Sequence, residues 1–291
     1  MSKIEFSLVS PAIRTENWLK IYETVNTQDV SFEFIFAGPR KPNYKLPDNF
    51  RFIYTPVKPA QCWEILYEEA KGNYIMNIGD DFLFRTKNPL KILKEELTYI
   101  KDQKKILGLR YEFRKIDQTN QLTFKINNNK DESELLPMSP PLRKDLWYKY
   151  GRFDSRFICT LMEADFFLRM VKDGYTVVHS SVLVSEDKEN EDNRKMSRDY
   201  MGTDYKTMLK LWTKIEDDKR FFSSQRNDKV KHYNKDNIYR YSQDPAGRWN
   251  NTNYFYNKFI TSRIFYYLNF YYYVKKILYP LKQLIIKLLK K

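Results

Sequence analysis

Short apolar runs alternate with stretches of helical periodicity over the first eighty residues, and this rhythm constrains the fold more than any other feature. Ile4 to Val9, Phe32 to Phe36, Phe52 to Tyr54 and Tyr74 to Ile78 read as strands, with helical patterns at Trp18-Leu19-Tyr22-Val25 and Ile65-Leu66-Ala70 between them. Repeated βαβ units require an α/β domain with a mixed, mostly parallel sheet flanked by helices. Lys71-Gly72 reads as a helix end with a left-handed cap residue, and the strand after it as buried on both faces. Ligands bind beyond the carboxyl ends of such strands, so the turns after Val9, Phe36 and Ile78 are expected to share one cleft.

The later chain reads more irregularly. Asn88 to Lys101 has the pattern of a surface helix, and Leu107 to Lys115 with Leu122 to Ile126 that of a hairpin around Asp117-Gln118-Thr119-Asn120. Asn127 to Glu134 reads as a polar loop. Leu142 to Tyr150, closed by Gly151, and Glu163 to Lys172, closed by Asp173-Gly174, read as helices. Val177 to Val184 reads as a strand interrupted at Ser180-Ser181, and the dense mixed charge of Ser185 to Arg198 as a mobile loop.

The net charge of +14 calls for an anionic partner. Residues 251 to 291 carry eight Lys or Arg and no acid, so more than half of that charge is in the tail. Tyr254 to Tyr273 is thick with aromatics of the kind found in membrane-interface belts. From Lys275 to Lys291 the lysines fall on one half of a helical wheel, and most of the Leu and Ile on the other. No uncharged run there approaches the ~20 residues that span a bilayer. The tail therefore reads as an amphipathic helix lying on an anionic membrane surface, with packing on the catalytic domain or another subunit as the alternative. Clustering of charge in such a helix, and the lack of a nucleic-acid-binding motif, argue against a nucleic-acid partner.

Cys62 and Cys159 provide neither a disulfide framework nor zinc-ligand spacing, and with His179 and His232 they read as structural. No secretory signal is legible before Ile4. The expectation is a cytoplasmic protein, peripheral on the cytoplasmic face of a membrane.

Asp80 and Asp81 close the Tyr74 to Ile78 strand as a compact negative patch, which suits a hard divalent cation bridging to a diphosphate. Two adjacent acids alone read more simply as a cap and a solvated turn residue, so context has to decide. That context is a set of segments in consistent order. They are Phe6-Ser7-Leu8-Val9-Ser10-Pro11, Phe32-Glu33-Phe34-Ile35-Phe36, Glu69-Ala70-Lys71-Gly72-Asn73-Tyr74-Ile75, Gly151-Arg152-Phe153-Asp154, and Glu163-Ala164-Asp165-Phe166-Phe167-Leu168-Arg169 with Gly174-Tyr175. Together they resemble the family 2 glycosyltransferases.

The resemblance implies a GT-A, Rossmann-like fold over residues 1 to 200, with a nucleotide-sugar half to about residue 100 and an acceptor half after it. A helical and loop extension over 201 to 250 and the membrane-associating tail over 251 to 291 would follow. It implies inverting transfer of a sugar from a nucleotide-sugar donor to a glycan or lipid-linked acceptor. Pro11, Ala12, Arg14, Gly38 and Asp80 would line the donor. Asp81, matching the second acid of the family's Asp-x-Asp, and Asp80 would hold Mn²⁺ or Mg²⁺, with Glu186 or Asp187 possible additions. Glu163 is the expected general base and Asp165 the second candidate, while Arg169 is expected in a buried ion pair. A sugar-phosphate nucleotidyltransferase would want a Gly-rich loop where Pro11-Ala12-Ile13-Arg14 stands. A non-catalytic donor- or membrane-binding protein on the same scaffold is the other alternative. Donor identity and oligomeric state are not encoded in any of these segments.

Overall fold

The computed structural model describes residues 4–25, 29–100, 103–116, 122–126, 136–186, 195–212 and 225–239. The chain divides into two units, Met1–Pro245 and Ala246–Lys291, and all described residues belong to the first. The amphipathic tail, the 117–120 turn and the 127–134 loop lie outside them.

The first sheet has the order β3-β2-β1-β4-β8. Strands β1 (Phe6–Pro11), β2 (Phe32–Gly38), β3 (Phe50–Tyr54) and β4 (Tyr74–Asn77) are parallel, and β8 (Pro141–Arg143) is antiparallel on the edge. Helices α1 (Trp18–Val25) and α2 (Pro59–Glu69) make two of the crossovers. The sheet is buried on both faces, so its strands alternate between two cores. Phe6, Leu8, Phe34, Phe36 and Met76 pack on one side, and Val9, Ile35, Ala37 and Ile75 on the other. Trp18 of α1 anchors the first core, fully buried against Phe36 at 5.2 Å and Phe52 at 5.3 Å between ring centroids. The expected mixed, mostly parallel α/β sheet flanked by helices is thus what the chain builds.

A second sheet, ordered β5-β9-β6-β7, closes the first core. It comprises β5 (Phe82–Phe84), β6 (Lys105–Ile116), β7 (Leu122–Ile126) and β9 (Thr176–Glu186), with α3 (Pro89–Ile100) alongside. The hairpin is present, β6 against β7. The second core is covered by α2, α5 (Met162–Lys172) and α6 (Lys195–Leu211), with α4 (Lys144–Lys149) adjoining.

Several sequence expectations are corrected. The helix expected from Leu142 splits, because Pro141 to Arg143 pairs with β4 before α4 begins. Gly72 is not a left-handed cap: α2 ends at the extended residue Ala70, and only Gly151 (φ 81°) and Gly174 (φ 86°) are glycines with positive φ among the described residues. Gly72 is needed because a Cβ there would lie 2.6 Å from the Ser7 nitrogen. The 185–198 segment is ordered at both ends, since β9 runs on to Glu186 by pairing with β5 and α6 starts at Lys195. Strand β9 is continuous through Ser180-Ser181, although its register with β6 shifts there. Among the described residues, no helix is long and apolar enough to cross a membrane.

Candidate functional site

The carboxyl ends of β1, β2 and β4 converge as expected. Gly38 ends β2 so close to Ala12 that a Cβ would collide with the Ala12 carbonyl oxygen, and Ala12 N–H donates to Ala37 O at 2.8 Å. Pro11 ends β1 opposite Ala37. Beyond them the chain turns over the β4–β5 connection, where Asp80 and Asp81 are both nearly enclosed.

Asp80 Oδ2 accepts from the N–H groups of Ile13 (2.7 Å) and Arg14 (2.8 Å), so its carboxylate pins the loop after β1. The Arg14 guanidinium lies 2.7 Å from Asp80 Oδ1 and 2.7 Å from Asp81 Oδ2. Arg14 is therefore neither a surface residue nor aimed at solvent: its side chain is 12% exposed and bridges the acidic pair. The bridging guanidinium is a stand-in cation, and it marks a place where this turn favours positive charge. Among the described residues, no three His, Cys, Asp or Glu side chains group as a metal site. The turn thus offers a divalent ion at most two carboxylates, and such an ion would have to complete its shell with phosphate oxygens and water. Glu186 faces Phe82 across the β5–β9 pair, one residue from Asp81, and Asp187 lies outside the described residues.

The second group of candidate residues comes from α5. Leu161, in a left-handed backbone (φ 65°), turns the chain into this helix, and Asp165 N–H donates to its carbonyl at 2.9 Å. Two residues apart, the two carboxylates of the first turn have opposite surroundings. Asp165 is fully buried and accepts from Trp212 Nε1 (2.8 Å) and Arg226 Nε (2.9 Å), with Arg169 Nη2 at 3.1 Å. Arg226 also reaches Asp154 Oδ2 at 2.6 Å, and Arg156 binds the same carboxylate through two nitrogens. Burial pushes the Asp154 carboxyl up, but the hydrogen bonds from Arg156 and Arg226 outweigh it and hold it below its ordinary value. Asp165, expected as the second base candidate, is a member of this guanidinium lattice; Arg169 sits in it too, as expected of a buried ion pair.

Glu163 has no ion-pair partner among the described residues. Burial pushes its carboxyl up to about 7 against a pull from its own N–H, and the charge of Asp204 adds a smaller rise. Tyr67 of α2 feels the Glu163 charge. The Tyr67 hydroxyl donates to Asn77 Oδ1 at 2.6 Å, three residues before Asp80, and burial and the Glu163 charge raise its phenol. Glu64 is pushed up to about 7 as well, by burial, but it is tied to Arg152 and accepts from Phe153 N–H at 3.4 Å.

Several contributors carry no local signal in the sequence. Tyr67 and Asn77 lie in apolar runs, Asp204 in a charged stretch, and Arg226 is 61 residues from Asp165. The remaining polar candidates are structural or peripheral. Burial pushes the thiols of Cys62 and Cys159 up to about 12, so neither is a nucleophile. His179, expected in the core, is exposed on β9. A shallow hollow between Ser31, Glu33, Asn49, Arg51 and Lys71 is at the amino ends of the strands, the opposite edge from Asp80.

No protein-family model matches the chain, and no curated protein matches it. Among solved structures it is similar to S. aureus TarS, at 14% identity and a TM-score of 0.47, over 67% of this chain and 38% of that one. TarS 1–349 in complex with UDP-GlcNAc gives 13% identity and a TM-score of 0.47, over 65% of this chain and 61% of that one. TarS 1–349 in complex with UDP gives 15% and 0.44, over 62% and 60%. The chain spans about two fifths of the longest of these.

Proposed function

We propose that the chain is a nucleotide-sugar-dependent glycosyltransferase of GT-A type, inverting and divalent-metal-dependent, with Glu163 as its general base. One observation carries the reading: a carboxylate poised near neutrality without a paired cation, in the same fold as a buried acidic turn, bridged by a guanidinium, that follows a parallel strand. A base is most effective when its pKa lies near the working pH.

The donor diphosphate lies over Pro11, Ala12 and Gly38, where the tight approach of β1 and β2 keeps side chains out of the way. Asp81 and Asp80 hold Mn²⁺ or Mg²⁺, which when bound neutralises charge on the departing nucleoside diphosphate. Arg14 gives up its place between the carboxylates and turns to the phosphates. An acceptor hydroxyl attacks the anomeric carbon while Glu163 takes its proton. The bond from that carbon to the phosphate oxygen breaks, and the diphosphate leaves with the electron pair. Asp165, Arg169 and Arg226 hold the helix that carries the base and do not touch substrate. The acceptor is a glycan or lipid-linked sugar, and the basic, aromatic segment 251–291 brings the protein to an anionic membrane on the cytoplasmic side.

A screen of nucleotide sugars for hydrolysis, with and without Mn²⁺ or Mg²⁺, tests this. Turnover of one donor, lost with chelator and lost in Glu163→Gln while donor binding persists, is the expected result. Donor binding without turnover in wild type would favour the non-catalytic alternative. Liposome flotation of the full chain and of residues 1–250 tests the tail, whose removal is expected to abolish binding to anionic vesicles.

A further inference from the structure

The backbone that delivers Glu163 is held by a carboxylate from a distant helix. Asp204 of α6 is fully buried, and its two oxygens accept from three consecutive N–H groups: Ile158 (2.8 Å), Cys159 (2.8 Å) and Thr160 (2.8 Å). The Thr160 hydroxyl adds a longer contact at 3.4 Å. Three consecutive amides converging on one anion make a nest, which fixes the backbone through them. Ile158 O also accepts from Ala60 N–H at 3.1 Å, at the start of α2. Immediately after this clamp comes Leu161, whose left-handed backbone is strained and persists only where its surroundings over-determine it. Glu163 follows two residues later.

We propose that Asp204 is the positioning residue of the base: it fixes the 158–160 backbone from which α5 starts and sets a second negative charge opposite Glu163. This rests on Glu163 being the base. The groups acting on Glu163 come from three elements. Asp204 of α6 acts on it directly, and Tyr67 of α2 and Cys159 of the clamped loop both feel its charge. Lys58, at the start of α2, faces Asp204 and is fully buried, donating to Ser155 O at 2.9 Å. Burial outweighs the three amides and Lys58 and leaves the Asp204 carboxyl raised. A like charge beside a carboxylate favours its protonated form, so Asp204 makes Glu163 a stronger proton acceptor than burial alone would.

The test titrates the Glu163 carboxyl by ¹³C NMR in the full-length protein, its resonance assigned by loss in Glu163→Gln. Asp204→Asn, which removes charge and keeps shape, is expected to lower the midpoint by about half a pH unit or more. Asp204→Glu keeps the charge and is expected to leave the midpoint near the wild-type value. A merely structural Asp204 would let water reach Glu163 in both variants and lower both midpoints alike, and that result overturns the proposal, as does no movement in either. The rate of donor hydrolysis should fall about tenfold in Asp204→Asn with the donor KM unchanged. If Asp204→Asn does not fold, amide exchange in wild type decides: slow exchange at Ile158, Cys159 and Thr160 supports the clamp, and exchange at the rate of an open loop refutes it. Turnover retained by Glu163→Gln defeats the base assignment itself. Turnover lost there, with midpoints indifferent to Asp204, defeats only the role of Asp204.

Discussion

The acidic turn after β4 and the first turn of α5 handle negative charge in opposite ways. At the turn, Asp80 and Asp81 are answered by Arg14 and by two backbone amides. At α5, Glu163 has no paired cation among the described residues and faces a further carboxylate. A carboxylate pair bridged by a guanidinium already accommodates a positive charge. A carboxylate left without a cation in a desolvated place is suited to exchanging a proton. Asp165 supplies a control within the same helix, because its three cationic or N–H partners give it a structural task.

The largest effect is expected from exchanging the two acids of α5. Glu163→Gln should lower donor turnover by about 10²- to 10⁴-fold, the usual contribution of a general base, with nucleotide affinity close to wild type and no loss of stability. Asp165→Asn should instead lower the melting temperature, with any residual folded protein still turning over. Single-turnover rates and thermal melts on both variants separate the two roles, and equal kinetic losses at unchanged stability would erase the distinction.

Next in size is removal of Arg226. Its guanidinium joins Asp154 and Asp165, both fully buried, and breaking a buried pair from one side costs about 3–5 kcal/mol. Arg226→Leu should shift the denaturation midpoint by that amount. Arg14→Ala is expected to act differently although it too strips a cation from two carboxylates. The acidic turn then competes better for free cations, so Mn²⁺ affinity measured without nucleotide should rise about tenfold, roughly 1.4 kcal/mol. Affinity for the nucleoside diphosphate of the proposed donor, in the presence of Mn²⁺, should fall. Unchanged Mn²⁺ binding would mean that the guanidinium does not occupy the cation's place.

The strands of the first sheet were legible because burial on both faces writes itself into composition: Phe32 to Phe36 and Tyr74 to Ile78 have no other reading. The positions of Asp80 and Asp81 were legible for the same reason, at the end of such a strand, whereas Glu163 stood out only through the resemblance of its segment to family 2 glycosyltransferases. Their partners were not. Arg14 reads as a residue that lines the donor, and only the fold brings its guanidinium to acids 66 and 67 positions away. The Asp204 clamp depends on α6, which lies in a run of mixed charge with no apolar periodicity to announce it. Strand β5, three residues long, leaves no pattern at all, and β8 was hidden because Pro141 to Arg143 leads straight into a helix. Local periodicity records burial, whereas ion pairs closed over sixty residues record topology, and only the first can be read before the fold is known.

The smallest effect is a pH dependence of stability that divides the two kinds of acid. Glu163 and Glu64 both titrate near 7 in the folded protein, raised by burial from an ordinary carboxylate value of 4.5. Between about 4.5 and 7 the unfolded chain has released these protons while the folded one still holds them. Their contribution is therefore fully present below 4.5 and is lost as pH rises through 7. Asp154 has the opposite sign: its depressed carboxyl stabilises the fold above its ordinary value of 3.8 and loses that contribution in more acid solution. Urea midpoints from pH 4 to 8 should therefore decline through the neutral range. A displacement of one pH unit corresponds to about 1.4 kcal/mol, so each glutamate should contribute roughly 1 kcal/mol or more to that decline. Glu163→Gln should remove its share and make the protein more stable than wild type at pH 8, as expected where a residue is kept for proton transfer at a cost to the fold. A slope unchanged in that variant would show Glu163 to be an ordinary solvated acid and would level the difference between α5 and the acidic turn.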